Sequence, residues 1–542
     1  MKKWQIQSKE KIGEIIDILL ENRGLKNKKE KQEFLAPTDP NEISLKDLGI
    51  DKKEVIKAIK RLSLAKKNKE EVIVYGDYDA DGVCASAIMW EALHKFGLKV
   101  MPYIPDRFSE GYGVNAISLE KLKSQNPNLK VIITVDNGIV AYDAMKVAKK
   151  LGLDVIVNDH HTKEKKKLGA YAIIHTTKIC GSAVAWIFTR ELLGKRTAGL
   201  ELAGIGTISD QMPLLEENRS FAKFGLQELR KTKREGIVNL CKLTQIDQTK
   251  IGTYEINFII APRINSMGRM GNAIDSLRLL CTKDGKKAEG LSQNLNKTNE
   301  ERQRMLDEIV VHTRNEVKKN NWKSVIVVAH ESYHEGIIGL AASRIVEEFY
   351  RPAIVISKGE KISKASARSI SGFNIIETIR MASDLILEGG GHPMAAGFSL
   401  ETKKIPDFIE KLDEVSVSLL TEEILTRKLK IDMGISFNQI NWELLKDLSI
   451  FDPVGIGNPA PLFVTYEVEI SEARALGNGN KHLKLKLKKD DKFFDAIAFG
   501  FGEMAQKLTK GNKINVVYGV EENVWNGNRS IQLKVKDLKV VD

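Results

Sequence analysis

Short β-branched apolar runs that end on acidic residues constrain this 542-residue chain more than any other feature. Val72–Tyr75 runs into Asp77-Tyr78-Asp79-Ala80-Asp81-Gly82, and Val131–Val135 into Asp136-Asn137-Gly138. Val155–Val157 runs into Asn158-Asp159-His160-His161, and Ile208-Ser209 leads into Asp210. Such runs read as buried parallel strands, and an open parallel sheet gathers its strand carboxyl ends along one edge, where ligands bind. Carboxylates and imidazoles collected there repel one another and are costly to desolvate unless cations hold them. The pattern therefore predicts a divalent-metal site acting on phosphoesters.

The length calls for about three to four domains. Residues 1–67 read as a helical, Lys-rich lead-in packed on the domain that follows. Residues 68–215 alternate strand and helix, with helices expected at Ala85–Phe96, Ser118–Lys123 and Ala141–Lys150, which implies a doubly wound α/β domain. Residues 216–320 turn helical. Within them Leu291–Lys318 reads either as one long connecting helix or as an ordinary surface helix. A second α/β unit is expected over 321–401, a charged helical connector over 402–425, and a β-rich unit over 426–542. In that last unit His482–Lys488 alternates with period two, and Asn526-Gly527 reads as a hairpin turn between two strands. Several short strands in about a hundred residues suggest a small barrel such as an OB-fold.

The formal net charge of +12 favours a polyanionic partner, with a generally Lys-rich chain as the alternative. Cys84, Cys180, Cys241 and Cys281 are widely scattered, which argues against a zinc knuckle or a disulfide framework and for a reducing, cytoplasmic setting. Neither a signal peptide nor a membrane span is expected.

Asp77, Asp79 and Asp81 alternate, so on an extended segment all three point one way. An EF-hand reading fails because Ile88 stands where the loop's twelfth residue must be Glu, and because the segment follows a strand. A solvated acidic turn is the alternative for this segment alone, and the acids after the other runs weigh against it. His160 and His161 add nitrogen donors, and carboxylate with imidazole suits Mn²⁺ or Mg²⁺, with Zn²⁺ also open. Two ions about 3.5–4 Å apart would clamp the attacking hydroxide and the phosphate, with Asp136 placed to bridge them.

These same residues carry a family resemblance. The segments at 77–82, 135–138, 159–161 and 209–210 resemble the four motifs of the DHH phosphoesterases, and Gly389–Gly397 resembles the glycine-rich motif of their partner DHHA1 domain. More narrowly, Ala261-Pro262-Arg263-Ile264-Asn265, Gly268-Arg269-Met270, His334–Gly339, Ala341–Arg344 and Ser366–Ser369 resemble the RecJ family of single-strand-specific exonucleases. Pro453–Pro459 and Trp525-Asn526-Gly527 resemble its OB region. The resemblance covers nearly the whole chain. His334-Glu335-Gly336 lacks a proline that some relatives carry before the glycine, and a further C-terminal domain found in some relatives is not expected.

The resemblance implies a fold of two α/β domains, DHH and DHHA1, joined by a helical region and followed by an OB barrel. It implies that Asp77, Asp79, Asp81, Asp136, His160 and Asp210 hold two Mn²⁺ or Mg²⁺ ions. His161 would approach the scissile phosphate. Asp159 would either join the ligands or orient a histidine. It implies 5′→3′ hydrolysis of single-stranded DNA to nucleoside 5′-monophosphates in repair and recombination, with a single-strand-binding protein and a helicase as partners. A monomer is expected. Arg107 and Tyr112 are candidates to clamp a phosphate and stack a base, and Arg269, Ser366, Arg368 and His392 to bind phosphate. The backbone N–H groups of Gly389–Gly391 suit a phosphate, with a tight turn as the alternative. Lys163 and Lys165–Lys167 would line a DNA entry or form a solvated face. One rival is a DHH enzyme for short oligoribonucleotides or cyclic dinucleotides, against which the barrel argues. The other is an inactive single-strand-binding scaffold, against which the intact motifs argue.

Overall fold

A computed structural model describes residues 2–8, 14–194, 197–319, 322 and 324–541. The first α/β unit is a five-stranded sheet in the spatial order Lys99–Tyr103, Glu71–Tyr75, Leu129–Val135, Asp154–Asp159, Ala172–His175, parallel throughout. Alternation along the strands feeds two cores. Val72, Val74, Val131 and Ile133 pack against the helices Ala80–Phe96 and Gly181–Leu193. Ile73, Tyr75 and Ile132 pack against Ala116–Gln125 and Tyr142–Lys150. The strand order reverses between Glu71–Tyr75 and Leu129–Val135, which opens the crevice where doubly wound sheets bind ligands.

The helical region does not stand apart from this unit. Phe221, Leu240, Ile264, Leu279 and Leu295 share the core of its first face. Gly285–Lys319 is one helix of 35 residues, about 50 Å long. Ala288 and Leu295 lie in the first unit's core and Ile309 in that of the second unit, so the helix spans both. The second unit has the sheet order Glu388–His392, Ala395–Glu401, Ile362–Arg368, Ala353–Ser357, Ile326–His330, with only the last two strands parallel.

The C-terminal unit is a closed five-stranded barrel. Phe463–Leu476, His482–Lys489, Lys492–Ala498, Asn528–Val540 and Lys513–Trp525 pair in turn, and the last returns to the first. Asn526 and Gly527 both have positive φ, as a two-residue type I′ hairpin requires.

Two sequence expectations are corrected. The lead-in does not pack only on the first unit. Lys3–Ser8 is a strand pairing in parallel with Lys428–Gly434, and Ile18, Leu19, Leu20 and Phe34 sit in the barrel core. The lead-in's apolar side chains enter the first unit's core only from Ile43 onward. The segment 402–425 is no free connector either, because Ile405, Phe408, Leu412 and Leu420 are buried in the second unit. The helical character expected of both segments holds, but which unit each helix packs on is set by contacts that local composition does not record. Cys84, Cys180, Cys241 and Cys281 are free thiols. Among the described residues no helix is long and apolar enough to cross a membrane.

Candidate metal centre and phosphate cavity

The sheet's crevice assembles the acids. Asp77 follows the strand Glu71–Tyr75, and Asp136 follows its neighbour Leu129–Val135 in the left-handed region (φ 61°), where its N–H donates to Asn158 O at 3.0 Å. A Cβ on Gly181 would stand 2.3 Å from Asp136 Oδ1, so glycine there lets a helix N-terminus close on the carboxylate. Asp79 caps the helix Ala80–Phe96 by accepting from the Gly82 N–H at 2.9 Å. Asp81 lies in that helix's first turn and accepts from the N–H groups of Gly181 and Ser182 at 2.7 and 3.0 Å. The alternation expected on an extended segment is therefore corrected, because Asp79 already starts the helix.

The expectation for Asp210 is corrected as well. It ends the helix Leu200–Ser209, not a strand. Leu202 to Ile208 are buried all round between neighbouring helices, and a short apolar run of this kind carries no period that separates helix from strand. The helix still delivers Asp210 to the crevice, where His160 Nε2 lies 3.7 Å from Asp210 Oδ2.

Three donor sets converge, each with its ligand atoms within 4.8 Å of one another: Asp77, Asp79 and Asp136; Asp81, His160 and Asp210; and Asp136, His160 and His161. Asp136 is shared between the first and the last. Burial, and after it the neighbouring carboxylates, pushes the Asp77, Asp79 and Asp136 carboxyls up, and Asp210 up to about 8. Burial holds the His160 imidazole down. The buried Oδ1 atoms of Asp77 and Asp136 have no hydrogen-bond partner. His160 Nε2 lies 3.1 Å from Asp136 Oδ1 without hydrogen-bond geometry, as two ligands of one ion would. Mutually repelling, buried, unsatisfied carboxylates with an uncharged imidazole fit divalent cations.

Asp159 lies outside these donor sets. It accepts from Ile139 N–H (2.9 Å), His160 N–H (2.7 Å) and His161 Nδ1 (2.8 Å). Burial pushes its carboxyl up, but these partners, His161 foremost, hold it below the usual range. In return the Asp159 hydrogen bond raises His161 to about 9. Asp159 thus orients a charged His161, whose Nε2 faces Tyr112 Oη at 3.3 Å.

Between the two α/β units lies a cavity of about 740 Å³ lined by Arg107, Arg269, Ser366, Arg368, Gly389 and Gly390, among others. None of these arginines has a carboxylate within salt-bridge reach among the described residues. Burial and the nearby Arg107 and Arg302 bring Arg269 down to about 10, and burial also lowers Arg368. Half-buried cations with no carboxylate beside them call for an anion. Arg107 lies 5.3 Å over the Tyr78 ring, which meets Tyr112 edge-on, so a chain of contacts joins the cavity to His161. His392 is exposed at the end of its strand and does not line the cavity. Lys163 and Lys165–Lys167 are exposed just beyond the histidines.

Sequence reasoning missed several supports. Asn265 Oδ1 accepts from the Ala80 N–H at 2.6 Å, which anchors the turn bearing Asp79 and Asp81. Past Asp210, Gln211 Nε2 donates to Asn257 Oδ1 at 3.4 Å, and the flanking Tyr254 and Phe258 are exposed with ring centroids 5.0 Å apart. Asn265 stood in a motif with no role attached, and a pair spaced i, i+4 reads as an ordinary helix face.

Models of the DHH family N-terminal domain, the DHHA1 domain and the RecJ OB domain match residues 71–205, 323–417 and 431–537. The single-stranded-DNA-specific exonuclease RecJ of Bacillus subtilis (strain 168) is 34% identical, over 98% of this chain and 68% of its own. The chain belongs to the RecJ family. RecJ of Haemophilus influenzae is 29% identical, over 97% and 96% of the two chains. The crystal structure of Thermus thermophilus RecJ in complex with Mn²⁺ superposes with TM-score 0.84 at 27% identity, covering all of this chain and 80% of that one. Its complex with Mg²⁺ gives 0.79. RecJ structures thus contain the two ions that the donor set here suits.

Proposed function

We propose that this chain is a metal-dependent exonuclease that hydrolyses single-stranded DNA from the 5′ end to nucleoside 5′-monophosphates, serving repair and recombination. The observation that carries this reading is the shared Asp136 between converging donor sets, beside a cavity of unpaired arginines. Mn²⁺ or Mg²⁺ held by Asp77, Asp79, Asp81, Asp136, His160 and Asp210 would polarise the phosphodiester and lower the pKa of the attacking water. His161, charged at neutral pH and fixed by Asp159, presents Nε2 to a phosphate or departing oxygen. Arg269, Arg368 and Ser366 receive the terminal phosphate, and Arg107 neutralises the next part of the backbone. Tyr112 offers a face to a base beside His161, and Tyr254 and Phe258 offer another beyond Asp210, toward the barrel.

The finer reading has a monomer in the cytoplasm, meeting DNA unwound by a helicase and covered by a single-strand-binding protein. Size-exclusion chromatography and co-purification test it. The reaction itself is tested with 5′-labelled and 3′-labelled single strands and Mn²⁺, with duplex and EDTA controls. Immediate release of labelled mononucleotide from the 5′-labelled strand alone is expected. Release from the 3′-labelled strand first would overturn the polarity, and no release from either strand would overturn the activity.

A further inference from the structure

The Pro453–Pro459 loop leads into the barrel, where Arg23 holds Asn458 Oδ1 and Pro459 O and Val454 packs on the core, yet it also has partners in the first unit. Leu214 N–H donates to Ile456 O at 2.7 Å, and Thr253 Oγ1 donates to Val454 O at 2.8 Å. The carbonyls just before and within the loop are held by Arg219, a fully buried cation on the helix Glu216–Leu229. Its guanidinium donates to Ile450, Phe451, Asp452 and Pro453, and also to Phe34 O, at 2.8–3.4 Å. Asn458, also fully buried, closes the loop by donating to Phe451 O and Pro453 O. The loop is thus fixed on the catalytic half as well as on the barrel.

Its contact is with the chain that carries Asp210. Pro213, Leu214 and Leu215 lie three to five residues after Asp210, and Gln211, next to Asp210, is held at φ 61°. A Cβ on Gly455 would lie 2.7 Å from Leu214 Cδ1 and 3.3 Å from Leu214 Cγ, and Leu214 is only 2% exposed in the core of the first unit. A Cβ on Gly457 would lie 3.1 Å from Pro213 Cβ. Two glycines therefore bring the loop backbone against the segment three to five residues beyond a candidate metal ligand. We propose that Gly455 and Gly457 are positioning residues. Through Pro213 and Leu214 the loop sets where the Asp210 carboxylate stands, so the seating of the barrel half governs metal affinity. This rests on the metal-holding role assigned to Asp210 above.

The test is calorimetric titration of the metal-free full-length protein with Mn²⁺, beside fluorescence anisotropy of a labelled single strand in EDTA. Gly455→Ala is expected to weaken Mn²⁺ binding by about tenfold, the lower range seen when groups that orient metal ligands are altered, while DNA affinity stays within about twofold. Gly455→Ala/Leu214→Val removes the colliding methyl and is expected to restore most of the affinity. Thr253→Val releases only the Val454 carbonyl and is expected to give a smaller loss in the same direction, a readout that remains if Gly455→Ala does not fold. Unchanged Mn²⁺ affinity in Gly455→Ala, or in Thr253→Val where that must stand in, overturns the brace. So does a loss that Leu214→Val does not relieve, or one matched by lost DNA binding. Wild-type protein that binds no Mn²⁺ overturns the role of Asp210 itself.

Discussion

Asp136 combines a left-handed backbone, full burial and an oxygen with no hydrogen-bond partner. A carboxylate in that state repels Asp77, Asp79 and Asp81 and gains nothing unless a cation joins it. Asp136→Ala should abolish Mn²⁺-dependent cleavage while leaving single-strand binding in EDTA largely intact, and metal-stimulated cleavage by the variant would refute the site. Asp159 stands apart, because its carboxylate accepts from His161 Nδ1 and raises that imidazole to about 9. Asp159→Asn is expected to lower kcat by about 10- to 100-fold with little change in KM, since it removes an orienting partner and no phosphate contact. The carboxylates also set a pH dependence in metal-free protein. Asp210, pushed up to about 8, binds more protons folded than unfolded, and Asp77, Asp79 and Asp136 shift the same way. Stability in EDTA is therefore greatest at low pH by this contribution and declines as pH rises from about 4 through about 8. The melting temperature should fall between about pH 6 and about pH 9 in EDTA, and saturating Mn²⁺ should largely remove that fall.

At the scale of elements, the helix Ala80–Phe96 begins where the metal centre needs it, because Asn265 from the helix Ala261–Met270 accepts its first N–H. Asn265→Ala leaves that N–H without its acceptor, at a cost of about 1–3 kcal/mol, and lets the turn bearing Asp79 and Asp81 shift. Lower thermal stability together with weaker Mn²⁺ binding is expected. A stability loss with unchanged Mn²⁺ affinity would mean that the turn holds its shape unaided. The strands, the acids that follow them and the Asn526-Gly527 hairpin were legible in the sequence because period, β-branching and turn chemistry are local. The helix that ends on Asp210 was not, because it is apolar on all sides.

At the scale of the molecule, residues 3–8 and 15–34 belong with the barrel some four hundred residues away. Removing 426–542 alone would expose Ile18, Leu19, Leu20 and Phe34 together with an unpaired edge at Lys3–Ser8. That truncation should aggregate, whereas removing 1–35 as well should relieve the aggregation, as light scattering would report. The two α/β units meet in the cavity around Arg269 and Arg368, where a terminal phosphate is the expected guest. Arg269→Ala should erase most of any preference for 5′-phosphorylated over 5′-hydroxyl strands, and an unaltered preference would place the terminal phosphate elsewhere.

The sequence by itself determined the chemistry and the elements that bear it: acids and histidines after parallel strands, a second α/β unit with a glycine-rich segment, and a terminal barrel. These follow from spacing and side-chain type within a few residues. Only the tertiary structure decided that Asp159 orients where its neighbours form donor sets, that Asp210 arrives on a helix, that His392 stays outside the cavity, and that the first strand closes on the last unit. Each depends on where separate segments meet. Burial, charge repulsion and backbone pairing act across hundreds of residues there, and no local pattern records them.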